Sequence, residues 1–270
     1  MPHEALPPIG LGTFSPDNRP AWRDQVATAL DLGYRHIDTA QVYGNEEYVG
    51  EAIADSSVPR DEIFLSTKTV HHDVPPTVEE VPEAIDGCLE RLGVSQVDML
   101  YVHWPSGMYE AEPVLDAYNE AYADGKLRYV GLSNFTPSLI DEALDILEAP
   151  LLAHQAEMHP FLPQRELIAD AQERGIWFVA YSPLAKGRVF DHPTIVEIAE
   201  RHDVTPAQVT LAWEIATPNV RAIPKASNRA HQSQNLAAAD LELTDDELAA
   251  IDAIKTRHRV IDAAHGPWNW

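Results

Sequence analysis

The chain has 270 residues, 45% of them apolar, and carries 19 Lys and Arg against 43 Asp and Glu for a formal charge of −24. That length and apolar content allow one large core or two small ones, and the charge repels nucleic acid and anionic membrane surfaces. A single cysteine, Cys88, excludes an intrachain disulfide and fits a reducing compartment.

In chain order, the N-terminal stretch MPHEALPPIG shows neither a basic nor an apolar export region, and no apolar run reaches membrane-spanning length. A cytoplasmic protein is expected. Short apolar runs then recur at 9–12, 34–37, 63–66, 97–102, 127–132, 152–155, 176–180 and 220–223. Several are rich in Val, Ile and aromatic residues, as strands favour. Amphipathic stretches alternate with them at 22–32, 81–92, 114–124, 137–147, 166–174 and 206–216, and a last one covers 245–256. Gly33, Gly93 and Gly175 stand where helices of this pattern end. Cys88 falls among helix-patterned apolar residues and is expected to be a buried structural thiol.

Eight strand–helix alternations predict an α/β fold of the (β/α)8 TIM-barrel type, a single domain over residues 1–270. The tail from 257 to 270 lies beyond the last helical pattern, and its Pro267, Trp268 and Trp270 suit either a loop over the barrel mouth or packing on the outside. The acids are scattered, and pairs such as Glu46-Glu47, Glu79-Glu80 and Asp245-Asp246 are expected on solvated helix faces. Lysine is confined to Lys68, Lys126, Lys186, Lys225 and Lys255. Such a charge balance, screened by salt, suggests a halophilic source, an ordinary acidic bacterial enzyme being the alternative.

In such barrels the loops that follow the strands ring a common cavity. The apolar runs hand over there to polar groups: Asp38, Lys68, His103, Ser133-Asn134, Gln155 and Tyr181-Ser182. Tyr43 follows Asp38 closely enough to return to the same mouth. Taken singly, each has an ordinary structural explanation; together they can protonate a carbonyl. An ammonium beside a phenol stabilises the phenolate, a carboxylate holds the ammonium charged, and a histidine donates to the carbonyl oxygen.

The segments GYRHIDTAQVYGNEEYVGEAI from Gly33, LGVSQVDMLYVHWP from Leu92, VGLSNF from Val130, AYSPL from Ala180 and IPKASNRAHQSQN from Ile223 occur in this order. Together they resemble the motifs of the aldo-keto reductase family, in its 2,5-diketo-gluconate reductase-like branch, over about residues 6 to 256. The resemblance implies an NAD(P)H-dependent oxidoreductase with a catalytic tetrad of Asp38, Tyr43, Lys68 and His103, in which Tyr43 is the general acid. It further implies that Ser133, Asn134 and Gln155 bind the nicotinamide carboxamide and that Tyr181 stacks on the ring. Thr13, Ser182 and Leu184 also belong to the implied cofactor contacts.

The segment from Gly10 to Ser15 lacks the third glycine of a Rossmann fingerprint and no helix clearly follows it, which argues against that fold. At the adenosine end Lys225 is kept, but Ala226 and His231 stand where a serine and an arginine are usual. Ser227, Gln234 and Asn235 remain for the phosphate, ribose and adenine. Arginine grips a 2′-phosphate bidentately and histidine does not, so NADPH is expected to be favoured with NADH also usable. Phe14, Tyr43, His103 and Trp104 are the expected substrate walls, with Phe161, Trp268 and Trp270 as further candidates.

Two other readings stand beside this one. The first is a non-catalytic nicotinamide-binding regulatory protein on the same barrel. The second is a metal-dependent hydrolase, prompted by His71-His72-Asp73, His103, His154 and His159. It is disfavoured because adjacent histidines in an extended segment point opposite ways. A small carbonyl substrate, no metal and a monomer are expected.

Overall fold

The computed structural model describes residues 6–15, 19–70, 77–107 and 109–269. His71-His72-Asp73 and Trp270 lie outside them. Eight parallel strands follow one another in sequence order. They are β1 (Leu11–Gly12), β2 (His36–Asp38), β3 (Phe64–Thr69), β4 (Val97–Val102), β5 (Leu127–Ser133), β6 (Leu151–Glu157), β7 (Trp177–Tyr181) and β8 (Val220–Ala222). Two parallel bridges, Ile9 with Ala222 and Gly12 with Lys225, bring the first strand to the last. The Gly10 amide donates to the Ala222 carbonyl at 2.8 Å and the Gly12 amide to that of Pro224 at 3.2 Å. The sheet is a barrel, and with its surrounding helices the fold is the expected (β/α)8 barrel.

The helices are α1 (Trp22–Leu32), α2 (Glu46–Asp55), α3 (Val81–Leu92), α4 (Ala111–Ala123), α5 (Pro137–Ile146), α6 (Arg165–Arg174), α7 (Pro193–His202), α8 (Pro206–Ala216), α9 (Arg229–Ala237) and α10 (Asp245–Asp252). Helices α1 and α3 end on Gly33 (φ 106°) and Gly93 (φ 66°), whose left-handed backbone lets the chain turn back toward the next strand. Thr136, Thr205 and Thr244 cap α5, α8 and α10 through their side-chain oxygens.

Alternation along the strands sorts residues into two environments. Ile37, Leu65, Leu100, Val130, Leu132 and Phe178 face outward into the core shared with the helices. Phe64, Met99, Tyr101, Trp177, Val179 and Ile223 face inward and fill the barrel. Leu6 joins this inner cluster, and the Arg221 guanidinium stacks 3.7 Å from the Trp177 ring centroid while donating to the Leu6 carbonyl at 2.6 Å. The N-terminal end of the barrel is thereby plugged with side chains, which leaves the opposite end for ligands.

The structure corrects several sequence expectations. Strand β3 runs on to Thr69, so Lys68 lies within it and not after it, paired in register with Tyr101 of β4. Ser133 and Tyr181 end β5 and β7 as expected, while β6 runs two residues past Gln155 to Glu157. Helices α2, α7 and α9 add to the amphipathic stretches. The last helix stops at Asp252, short of Thr256.

Glu46 is not on a solvated face. It is 1% exposed, accepts from the Thr67 hydroxyl at 2.5 Å and pairs with Arg91 at 2.7 Å, tying the first turn of α2 to β3 and α3. Cys88 is buried as expected, with the Arg91 guanidinium donating to its sulfur at 3.4 Å.

Gly131 of β5 faces inward against Tyr101, and a Cβ there would lie 2.3 Å from the ring. Tyr101 is fully buried. Gly131→Ala is expected to cost about 1–3 kcal/mol in unfolding free energy by overpacking. Denaturant titration of the two proteins checks this, and equal midpoints would contradict the packing described.

Candidate active site

Adjacent strands deliver one inward polar side chain each to the open end. Asp38 ends β2 and is 1% exposed; Lys68 of β3 is 0% exposed and forms a close ion pair with it. Lys68 also donates to the Thr39 carbonyl at 2.8 Å. The other Asp38 oxygen, Oδ2, accepts from Ser66 Oγ at 3.0 Å and from Gln155 Nε2 at 3.0 Å. One carboxylate therefore links β2, β3 and β6.

Tyr43 stands on a short 3-10 turn, Gln41–Tyr43, after β2. Its ring lies 5.4 Å from Lys68 Nζ, 5.9 Å from the His103 ring and 5.1 Å from Phe14. His103 extends β4 by one step, its amide donating to the Thr69 carbonyl at 2.9 Å. The four residues Asp38, Tyr43, Lys68 and His103 are thus brought together at one end of the barrel.

Burial pushes the Tyr43 phenol well above its ordinary value, and the nearby Asp38 carboxylate adds to that push. Burial lowers Lys68, while Asp38 opposes the loss of its charge. The expected lowering of the tyrosine by lysine is not what the structure shows, since desolvation of the wholly enclosed phenol dominates.

Beside this cluster opens a cavity of about 940 Å³, within the range of small-molecule and cofactor sites. Asn134 lines it at φ 65°, its Nδ2 donating to the His103 carbonyl at 3.0 Å and its Oδ1 accepting from the Tyr181 hydroxyl at 2.8 Å. Gln155 and Tyr181 line the same wall, followed by Ser182 and Leu184. Ser133 does not line it: the side chain is buried behind Asn134 and accepts from Asn134 Nδ2 at 3.1 Å. At the far end lie Lys225, His231, Gln234 and Asn235, whereas Ser227 is exposed and outside the lining. His231 is held by Asn228, which caps α9.

Phe14, Tyr43, His103 and Trp104 form the other end, and Thr13 lines the cavity beside Asp38. Phe161 is buried away from the lining, and Trp268 packs on Trp104 at 5.6 Å, bordering a separate cavity near Arg259. Sequence reasoning missed the loop after β7 (Lys186, Gly187, Phe190) and the tail residues Ile261, Ala263 and His265, which also line the main cavity. The loop carries positive φ at Ser182, Ala185 and Lys186, a backbone feature that no residue type here announces.

Of the histidines behind the hydrolase reading, His154 is buried outside the barrel against Phe178 and His159 bonds to Glu157 at 2.9 Å. Among the described residues there is no group of three metal-ligating side chains.

A model of the Aldo/keto reductase family matches residues 8–256, and the chain belongs to that family. Methylglyoxal reductase DkgB of Escherichia coli O157:H7 is 37% identical over 260 residues, 95% of this chain and 96% of that one. Glyoxal reductase of Bacillus subtilis strain 168 is 36% identical over 255 residues, covering 94% and 91%. Among solved structures, one provisionally assigned as a 2,5-diketo-D-gluconic acid reductase B superposes with a TM-score of 0.90 at 34% identity, covering 97% of this chain and 92% of that one. Aldose reductase from Schistosoma japonicum gives 0.89 at 27% identity, covering 98% and 96%. The chain is accordingly an oxidoreductase of the carbonyl-reducing kind.

Burial lowers two histidines from 6.5 to about 4: His36, beneath Asp38 and bonded to Ser66, and His154. Both stay neutral in the folded chain while the unfolded chain takes up protons below about 6.5, so stability falls as pH drops from there through about 4. His154→Asn is expected to remove on the order of 2–3 kcal/mol of that fall. Denaturant midpoints of both proteins across this interval test it; parallel curves would show that His154 does not carry the effect.

Proposed function

We propose that the protein reduces a small aldehyde or ketone with a nicotinamide cofactor, Tyr43 giving the proton. The observation that carries this reading is the buried Asp38–Lys68 pair beside the Tyr43 ring, at one end of a cavity that continues to Lys225. The residues fit a dinucleotide. Thr13 Oγ1 is buried without a hydrogen-bond partner among the described residues, and Thr13 lines the cavity. Tyr181 offers a flat face fixed by its bond to Asn134. When bound, the cofactor supplies hydride.

In this reading Asn134 and Gln155 hold the carboxamide edge, with Ser133 steadying Asn134 from behind. Tyr181 sets which face of the ring meets the substrate. Thr13, Ser182 and Leu184 run along the middle of the cofactor. His103 orients the carbonyl oxygen toward Tyr43, whose proton neutralises the charge that develops there. Lys68 stabilises the phenolate left on Tyr43, and Asp38 keeps Lys68 charged. Phe14, Trp104 and the tail residues shape the substrate end. Names of relatives, methylglyoxal reductase and glyoxal reductase, make small dicarbonyls the first substrates to try.

The whole chain is read as one domain and as a cytoplasmic monomer. No helix among the described residues is long and apolar enough to cross a membrane. The charge of −24 makes a salt-adapted protein the natural expectation, so assays belong in concentrated salt.

Consumption of reduced cofactor with methylglyoxal, followed by ultraviolet absorbance, is expected for the wild type. Tyr43→Phe should lower kcat by about 10²- to 10⁴-fold while still binding cofactor. Equal rates would overturn the assignment of Tyr43, and a folded wild type that binds cofactor without turning over any carbonyl would favour a regulatory binding protein. NADPH is expected to be preferred through Lys225, Gln234, Asn235 and the nearby Ser227. His231, engaged with Asn228, lacks the fork that grips a 2′-phosphate. Lys225→Met should reduce kcat/KM with NADPH by about tenfold more than with NADH. Wild-type efficiency as high with NADH would reverse the ordering.

A further inference from the structure

Glu157 ends β6, inside the barrel, and is 0% exposed. A buried carboxylate is costly unless every lone pair is met. Here Oε1 accepts from His159 Nε2 at 2.9 Å and from the Val260 amide at 2.6 Å, and Oε2 accepts from the Ile261 amide at 2.8 Å. Two of the three donors come from backbone more than a hundred residues away, in the tail beyond α10. Nearby, the His258 amide donates to the Phe161 carbonyl at 3.0 Å, so the tail runs beside the segment that follows β6. Ile261, itself one of the anchored residues, lines the main cavity, as do Ala263 and His265, and His265 meets Trp104 at 4.9 Å.

The geometry points to Glu157 as a positioning residue: its carboxylate anchors the C-terminal tail across the barrel mouth and thereby sets the substrate wall formed by Ile261, Ala263 and His265. This rests on the carbonyl-reductase reading for its kinetic consequence, but not for the anchor itself. Glu157 does not line the cavity and acts only through the tail. The Val260 carbonyl accepts from Lys186 at 3.1 Å, so the same peptide unit is tied on its other side to the loop after β7. Losing the Glu157 anchor therefore loosens the tail without detaching it.

Glu157→Gln keeps the shape but removes the charge, and Val260→Pro removes one donor while leaving the carboxylate and its other two donors in place. In both, amide hydrogen exchange over residues 258–265 should rise about tenfold or more, with the strands unchanged. KM for methylglyoxal should rise by a similar factor, with kcat changing much less. Glu157→Asp, which keeps the charge, should restore part of both. If Glu157→Gln fails to fold, Val260→Pro decides the matter alone. Unchanged exchange in the tail would overturn the anchor, and faster exchange with unchanged KM would overturn its role in the substrate wall. A wild type without turnover would defeat the functional reading, while the exchange measurement would still test the anchor.

Discussion

The ion pair between Asp38 and Lys68 is the constraint around which the mouth of the barrel is organised. Both side chains are removed from water, at 2% and 0% exposure. Taking either partner away would leave a buried charge uncompensated, a loss of about 3–5 kcal/mol in comparable cases. The pair does more than balance charge. Asp38 spends its second oxygen on Ser66 and Gln155, so the amide of Gln155 on the far side of the barrel is oriented by the same group that holds Lys68. Side chains on opposite sides of the barrel mouth are in this way fixed relative to each other.

That arrangement depends on the barrel having two unlike ends. At the N-terminal end, Phe64, Met99 and Trp177 pack with Leu6 into an apolar plug. Moving up the strands, the inward positions become polar: Ser66 and Lys68 are held by Asp38 of the neighbouring strand, Gln155 by the same carboxylate across the barrel, and Tyr181 by Asn134. Low dielectric below strengthens the polar contacts above. Left-handed backbone at Asn134, Ser182, Ala185 and Lys186 is concentrated in the loops at this open end. Strands carry the buried polar cluster and irregular loops shape the cavity around it.

Acidic residues play two distinct parts. Most of them lie on the surface, where their mutual repulsion is screened by salt. Among those drawn inside, Glu46 is matched by Thr67 and Arg91, and Glu157 by His159 and two tail amides. Their burial ties together segments distant in sequence. At Glu157 the backbone amides and His159 hold the carboxyl below its usual range despite burial, which keeps it ionised and able to grip the tail.

Periodicity by itself determined the number of strands, their parallel order and the faces of the helices, because a strand buried on both sides must be apolar and an amphipathic helix must repeat. It also marked Asp38, Lys68, His103, Gln155 and Tyr181 as polar interruptions at the same ends of successive strands. Strand limits escaped it, since the ladder continues through a polar residue such as Lys68 whose partner is distant in the chain. Glu46 read as a surface acid for the same reason: Thr67 and Arg91, which make its burial tolerable, are not its neighbours in sequence. The loop after β7 and the tail carry no periodic signal, and only the closed barrel brought Ile261 and His265 to the cavity. What the sequence encoded locally could be read locally. Pairings between buried polar groups, whose stability depends on a partner brought near only by folding, were decided by the tertiary structure.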